Sequence, residues 1–229
     1  MPKALIFDID GTLVDSVDLH AKAWQEAFEH FGHEFSLDQI RMQIGKGGDQ
    51  LLPVFLSKDE IEKRGKEIEE FRGKLFKSKY LKQVKPFPKV RELFEKAQSY
   101  GLKIALASSA KADELEDYKR IANIADLVDT ETSSSDAERS KPHPDIFEAA
   151  LEKLGPDVKP SEAVVIGDSP YDAQAAHKAG ISTVCVRCGG FPEDNLKQAG
   201  CVAIYDDPQD LLEHFEQSPL QGERLAAKH

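Results

Sequence analysis

Ala4-Leu5-Ile6-Phe7-Asp8-Ile9-Asp10-Gly11-Thr12-Leu13 opens the chain with an apolar run that delivers two carboxylates into a Gly-Thr turn. The run reads as a buried strand. Paired acids are a poor way to end one, because like charges held close raise the cost of ionising both. Such a pair persists where a cation neutralises it or where one member keeps a proton, and both conditions belong to catalysis. Similar short apolar runs recur at residues 102–107, 163–166, 181–186 and 202–205. Most are separated by segments with helical spacing, and this alternation predicts an α/β fold with a mainly parallel sheet. Ser169-Pro170 is expected to open a helix that Gly180 closes, and Asp207-Pro208 to open the last one.

Between the first two runs, residues 15–85 contain no obvious strand and are too long for an ordinary crossover. They read as an inserted helical module. Leu19, Trp24, Ala27, Phe28 and Phe31 recur at helical spacing, as do Ile61, Ile68, Phe71 and Leu75, and each set makes one apolar stripe. Ser57 and Glu60 form a capping box ahead of the second set. Pro86-Phe87-Pro88 marks the return to the core. The expected organisation is therefore core over 1–14, helical module over 15–85 and core again over 86–229. The tail 218–229, poor in apolar residues, is expected to be loosely held.

A formal charge of −11 makes the surface repel polyanions, which argues against nucleic-acid binding through phosphate contacts. No apolar segment approaches the roughly 20 residues needed to span a bilayer, and no basic-then-apolar leader opens the chain, so a cytoplasmic protein is expected. Cys185, Cys188 and Cys201 are odd in number, and we expect reduced thiols, with Cys185 acting as a small buried hydrophobe. The sequence does not set the oligomeric state, and a monomer is compatible with it.

In open α/β sheets ligands sit beyond the carboxyl ends of the strands. Asp8 and Asp10 follow the first run, Ser108-Ser109 the second, and Gly167-Asp168-Ser169 the third, with Asp172 beyond. These ends are expected to meet at one crevice. Lys141 precedes Pro142-His143-Pro144-Asp145, where the prolines stiffen the approach to the same mouth. Several carboxylates, a hydroxyl and a lysine suit phosphoryl transfer. The acids hold a hard dication such as Mg²⁺, one carboxylate attacks phosphorus, a second moves the proton, and hydroxyl and ammonium stabilise the equatorial oxygens.

Asp8-Ile9-Asp10-Gly11-Thr12, Ser108, Lys141-Pro142 and Gly167-Asp168-Ser169-Pro170-Tyr171-Asp172 together resemble the four ordered motifs of the haloacid dehalogenase superfamily. The resemblance implies a Rossmann-like parallel-sheet core carrying an inserted α-helical cap. It implies Asp8 as nucleophile and Asp10 as general acid/base, with Ser108 and Lys141 holding phosphoryl oxygens. The Mg²⁺ ligands would be Asp8, Asp168, Asp172 and, through its main-chain carbonyl, Asp10. Ser109 reads either as a second phosphate contact or as a helix cap, and Asp172 either as a metal ligand or as a first-turn helix acid.

Residues 15–85 fall where such relatives carry a cap that excludes water and contacts substrate. Ile44-Gly45-Lys46-Gly47-Gly48-Asp49 resembles its substrate-facing loop, with Lys46 available to an anion, and His20 either touches substrate or edges the cap core. Ten basic against six acidic residues over 58–85 either steer phosphorylated substrates or form a solvated helix face. The expected function is a Mg²⁺-dependent phosphatase of a small phosphorylated metabolite, of sugar-phosphate or phosphoglycolate type. Asp10 separates this reading from the dehalogenases, which lack an acid there. A β-phosphoglucomutase-like mutase is the enzymatic alternative; His20 and Lys77 are compatible with it, but the cap loop lacks the arginine such mutases present. A catalytically idle binding module is the third reading.

Overall fold

In a computed structural model that describes residues 1–221, eight strands fall into two sheets. They are β1 (Ala4–Phe7), β2 (Val14–Asp15), β3 (Lys85–Pro86), β4 (Lys103–Ala107), β5 (Thr130–Thr132), β6 (Ala163–Gly167), β7 (Ser182–Val186) and β8 (Ala203–Tyr205). The main sheet is parallel throughout, in the order β5-β4-β1-β6-β7-β8. Every residue of β1 is buried because both faces of a parallel sheet are covered, which is why its sequence is apolar without alternation.

Side chains of β1 still alternate in direction. Leu5 and Phe7 pack into one cluster with Phe94, Leu106 and Ile166, the Phe7 and Phe94 rings 4.5 Å apart. Ala4 and Ile6 enter the opposite cluster with Ala105, Phe147 and Val165. Each large buried side chain contributes about 1.5–3 kcal/mol of transfer free energy. These layers fix β1 in the centre of the sheet, so the acids after it have nowhere to go except the carboxyl edge.

Ten α-helices accompany the strands among the described residues: α1 (Val17–His30), α2 (Leu37–Arg41), α3 (Gly48–Phe55), α4 (Lys58–Leu75), α5 (Val90–Ser99), α6 (Ala112–Ala122), α7 (Asp145–Leu154), α8 (Pro170–Lys178), α9 (Glu193–Gln198) and α10 (Pro208–Glu213). None is long and apolar enough to cross a membrane. The first four, between β2 and β3, share a separate cluster built on Trp24, Phe28, Ile40, Leu52 and Ile68. The expected capping box opens α4, with Ser57 N donating to Glu60 Oε2 at 2.9 Å and Glu60 N to Ser57 Oγ at 3.4 Å. A π-turn over Phe76–Tyr80 then carries α4 back toward the main core, where Phe76 and Tyr80 are buried.

Several expectations need correction. Residues 15 and 85 are strand residues: β2 and β3 pair antiparallel, Val14 against Pro86 and Asp15 against Lys85, and two-residue strands are too short to leave a periodic signature. Leu19 and Leu75 pack on the main-sheet cluster and not on the helical one. β5 adds an edge strand that leaves no signal in the sequence, because Thr-Glu-Thr carries no apolar run.

The expectation of reduced thiols also fails for two of the three cysteines, since Cys185 and Cys201 are joined by a disulfide. The number of cysteines carries no sign that β7 and β8 are neighbours, which brings Cys201, two residues before β8, to a Cα separation of 5.9 Å from Cys185. Cys188 stays free. At the far end, Pro219 and Leu220 are buried in a 3₁₀ turn against the core, so the start of the tail is held; the remainder of 218–229 lies outside the described residues.

Candidate active site

Three carboxylates meet at the carboxyl edge of the sheet. Asp8 follows β1, Asp168 follows β6, and Asp172 lies in the first turn of α8; each offers an oxygen within 4.8 Å of the others, and all three are buried. Thr12 ties two of them, its hydroxyl donating to Asp8 Oδ2 at 3.2 Å and to Asp168 Oδ1 at 3.3 Å. Gly11, at φ 82°, and Gly189 bring bare backbone against Asp168, and a Cβ on Gly189 would overlap its carboxylate. Glycine at both positions is thus what lets the acid stand where it does.

Asp172 divides its oxygens. Oδ2 accepts from Ser169 N at 3.1 Å and Ser169 Oγ at 2.6 Å, closing a capping box on α8. Oδ1 faces the cluster, 2.8 Å from Lys141 Nζ in an ion pair. Lys141 also pairs with Asp8 Oδ1 and donates to the carbonyl of Ala107 at 3.3 Å. It is wholly buried, and the Lys141-Pro142 bond is cis.

One ammonium among three buried acids leaves negative charge unbalanced. Burial, opposed by Lys141 and reinforced by Asp172 and Asp10, pushes the Asp8 carboxyl up to about 7. Burial together with Asp172 and Asp8 raises Asp168 well above the carboxylate range. Although burial works against its charge, the carboxylates of Asp172 and Asp8 hold the Lys141 ammonium above its ordinary value. An all-oxygen donor set of three buried carboxylates with surplus negative charge fits a hard dication.

Asp10 turns its side chain away from this cluster. Its Oδ1 accepts from Ser16 Oγ at 2.5 Å and lies 3.0 Å from His20 Nε2. His20 Nε2 is also 2.9 Å from the Tyr118 hydroxyl, whose own proton goes to Glu114 Oε1 at 3.0 Å, and the imidazole stacks on Phe76 at 3.9 Å. Burial disfavours the charge on Asp10, but His20 and the hydrogen bond from Ser16 hold its carboxyl below the usual range. His20 is therefore engaged with the acid itself, while still lining the cavity above it.

A cavity of about 60 Å³ is lined by Asp8, Asp10, His20, Trp24, Lys46 and Arg72 and opens beside a cleft of about 510 Å³. Ser109 lines both spaces. Ser108, wholly buried at the end of β4, accepts from Ala110 N at 3.0 Å. Lys46 is half-buried, which lowers its ammonium; it donates to Gln43 Oε1 at 2.6 Å and stands 4.7 Å over the Tyr171 ring. The helical segment meets the core directly: Ser140 N donates to Asp49 Oδ2 at 3.1 Å, Arg41 Nη2 to the Gly189 carbonyl at 3.0 Å, and the Tyr171 hydroxyl to the Met42 carbonyl at 2.7 Å.

Residues 5–186 match the haloacid dehalogenase-like hydrolase family. The chain belongs to that family. It is 30% identical to the phosphorylated carbohydrates phosphatase of Thermotoga maritima over 92% of this chain and 96% of that one. To the phosphoglycolate phosphatase of Aquifex aeolicus it is 29% identical over 82% and 85% respectively. Among solved structures, a hydrolase from Pseudomonas syringae superposes with a TM-score of 0.84 at 28% identity, covering 93% of this chain and 98% of that one. The haloacid dehalogenase-like core is thus the Rossmann-like parallel sheet described above.

Sequence reasoning passed over Thr12, Glu114, Tyr118, Gly189 and Arg72. Arg72 left a legible signal, because it falls four residues after the buried Ile68 and so interrupts an apolar stripe with a guanidinium. Tyr118 and Gly189 left none, being meaningful only once distant segments are brought together.

Proposed function

We propose that this chain is a Mg²⁺-dependent phosphatase of a small phosphorylated metabolite, of sugar-phosphate or phosphoglycolate type, with Asp8 as nucleophile. One observation carries the reading: Asp8 sits at the end of β1, steadied by Lys141 and Thr12, and lines a cavity that it shares with Asp10. In a first step an Asp8 oxygen forms a bond to phosphorus while the bond to the leaving oxygen breaks, and Asp10 supplies the proton that the leaving oxygen needs. In a second, Asp10 takes a proton from water as that water's oxygen attacks the aspartyl-phosphate, releasing phosphate and restoring Asp8. The hydrogen bonds that hold Asp10 ionised suit the second step. For the first, the negative charge of an arriving phosphate raises the affinity of Asp10 for a proton.

Asp8, Asp168 and Asp172, with the main-chain carbonyl of Asp10, would hold Mg²⁺. Bound there, the ion would neutralise the acids and polarise a phosphoryl oxygen. Lys141 and Ser108 would hold other phosphoryl oxygens, Lys141 also softening the repulsion between Asp8 and an incoming anion. Residues 15–85 would act as the cap, contributing His20, Trp24, Lys46 and Arg72 to the cavity wall and setting specificity, with residues 1–14 and 86–229 as the core. Retention of both Asp8 and Asp10 speaks against an idle binding module.

The test is phosphate release from a panel of sugar phosphates, phosphoglycolate and nucleotides, with and without Mg²⁺. Turnover of at least one small phosphomonoester that needs both Mg²⁺ and Asp8 is expected. Conversion of a hexose 1-phosphate to the 6-phosphate without phosphate release would replace this reading with the mutase.

A further inference from the structure

Arg72 stands at the throat between the two spaces of the site, lining both the cavity that holds Asp8 and Asp10 and the larger cleft beside it. Ile68, one turn earlier on α4, is buried in the helical cluster, so the Arg72 stem follows a packed face and not the solvated one. The guanidinium carbon lies 5.0 Å over the Trp24 ring, which fixes one face of the fork. Its Nε is buried and donates to nothing, and among the described residues Arg72 makes no ion pair.

Neighbouring acids do not supply the missing partner. The Glu69 carboxyl, packed against Gly48, feels the Arg72 charge but forms no ion pair with it, Glu114 accepts from Tyr118, and the Asp49 carboxylate accepts from Ser140 N. Of the other basic side chains of this segment, Lys77 pairs with Asp113, Lys79 with Glu26 and Arg64 with Glu67, while Lys66 and Lys74 line only the larger cleft. Among the basic side chains of α4 and the turn after it, Arg72 is the one that lines both spaces, and its Nε has no acceptor. A planar guanidinium fork matches the two oxygens of a carboxylate or phosphate, and a buried donor without an acceptor discriminates against any ligand that fails to supply one.

We propose that the substrate's leaving group carries a second oxyanion, carboxylate or phosphate, and that Arg72 is the specificity-determining residue that reads it. The inference rests on the phosphatase reading of the same site, and it narrows the substrate class from phosphomonoesters in general to doubly anionic ones. A cleft of about 510 Å³ beyond the throat has room for the rest of such a molecule, within the range of small-molecule sites.

Binding to the Asp8→Asn variant tests this without depending on turnover. In the presence of Mg²⁺, calorimetric titration compares 2-phosphoglycolate with ethyl phosphate, which replaces the carboxylate by a methyl group. A second arm compares glucose 1,6-bisphosphate with glucose 6-phosphate, and the arm with the larger ratio distinguishes a carboxylate from a phosphate as the group read. At least one doubly anionic ligand is expected to bind about tenfold or more tightly than its partner, the scale of one charged hydrogen-bonded contact.

That ratio is expected to collapse toward unity when Arg72→Met is added, and to be only partly kept by Arg72→Lys, which retains charge but not the fork. Circular dichroism establishes that each variant is folded. Equal affinities within both pairs, or a preference that survives Arg72→Met, would overturn the proposal. If wild-type enzyme nevertheless releases phosphate from ethyl phosphate or glucose 6-phosphate, the phosphatase reading stands while this one falls.

Discussion

Lys141 and Asp172 form an ion pair of 2.8 Å in which neither side chain reaches solvent. Asp172 arrives there because its other oxygen caps α8, so the helix start and the charge cluster are built from one carboxylate. Lys141 also pairs with Asp8, which makes it the only cation facing three buried acids among the described residues.

Removing that cation is therefore costly. Lys141→Met is expected to destabilise the metal-free protein by about 3–5 kcal/mol, the range seen when one partner of a buried pair is deleted. Urea unfolding followed by circular dichroism measures it, and a change below about 1 kcal/mol would mean that solvent or protonation already compensates the cluster.

Asp8→Asn and Asp10→Asn should separate chemistry from folding. The first is expected to abolish phosphate release while leaving the far-ultraviolet spectrum intact. The second is expected to slow turnover by about 10²–10⁴-fold, the usual worth of a general acid/base. Turnover by Asp8→Asn near that of wild type would remove Asp8 as the nucleophile.

A pH dependence follows from Asp8, whose carboxyl is raised to about 7. Between its ordinary value near 4 and about 7 the folded chain binds this proton more tightly than the unfolded one, so stability falls as pH rises across that window. The raised carboxyl of Asp168 acts in the same direction. Melting temperatures of metal-free protein should decline over this range more steeply in wild type than in Asp8→Asn. Added Mg²⁺ should stabilise wild type more at pH 8 than at pH 5, since ions and protons compete for the same oxygens. An equal Mg²⁺ effect at both values would argue that the ion binds elsewhere.

Gly189→Ala tests the cradle around Asp168. Its new methyl group would overlap the carboxylate, which must then shift. We expect weakened Mg²⁺ dependence of both melting temperature and phosphate release, by about tenfold or more in apparent affinity, in line with other changes to groups that orient metal ligands. An unchanged Mg²⁺ titration would show that Asp168 is not a ligand.

The Cys185–Cys201 bridge closes a loop of 16 residues. Constraint of the unfolded chain by such a loop is worth about 3 kcal/mol. Cys201→Ser should lower stability by about that amount in non-reducing buffer, and dithiothreitol should erase the difference. Thiol counting on unreduced protein should find one free cysteine.

Much of this architecture was legible because its signals are local. A central parallel strand must be apolar on both faces, so β1 announced itself, and the acids at its end followed from its position. The capping box at Ser57 and the helix start at Ser169 were equally readable, since each signal lies within a few residues. Illegible features depend on juxtaposition: β5 has no apolar run, β2 and β3 are two residues each, and Cys185 meets Cys201 only because two strands are neighbours. In the site, charge type and order along the chain indicated Asp8, Asp168 and Lys141. The links from Asp10 through His20 and Tyr118 to Glu114 join segments about a hundred residues apart, and no spacing rule reaches that far.

The pairing of β2 with β3 has a wider implication. Because the polypeptide departs and re-enters through adjacent hydrogen-bonded rungs, the ends of the intervening stretch are held together. Lengthening or shortening that stretch then changes only a logarithmic closure entropy, about 0.6 kcal/mol for each doubling. Such an arrangement would let this stretch vary in length at little cost to the sheet that carries Asp8 and Asp168.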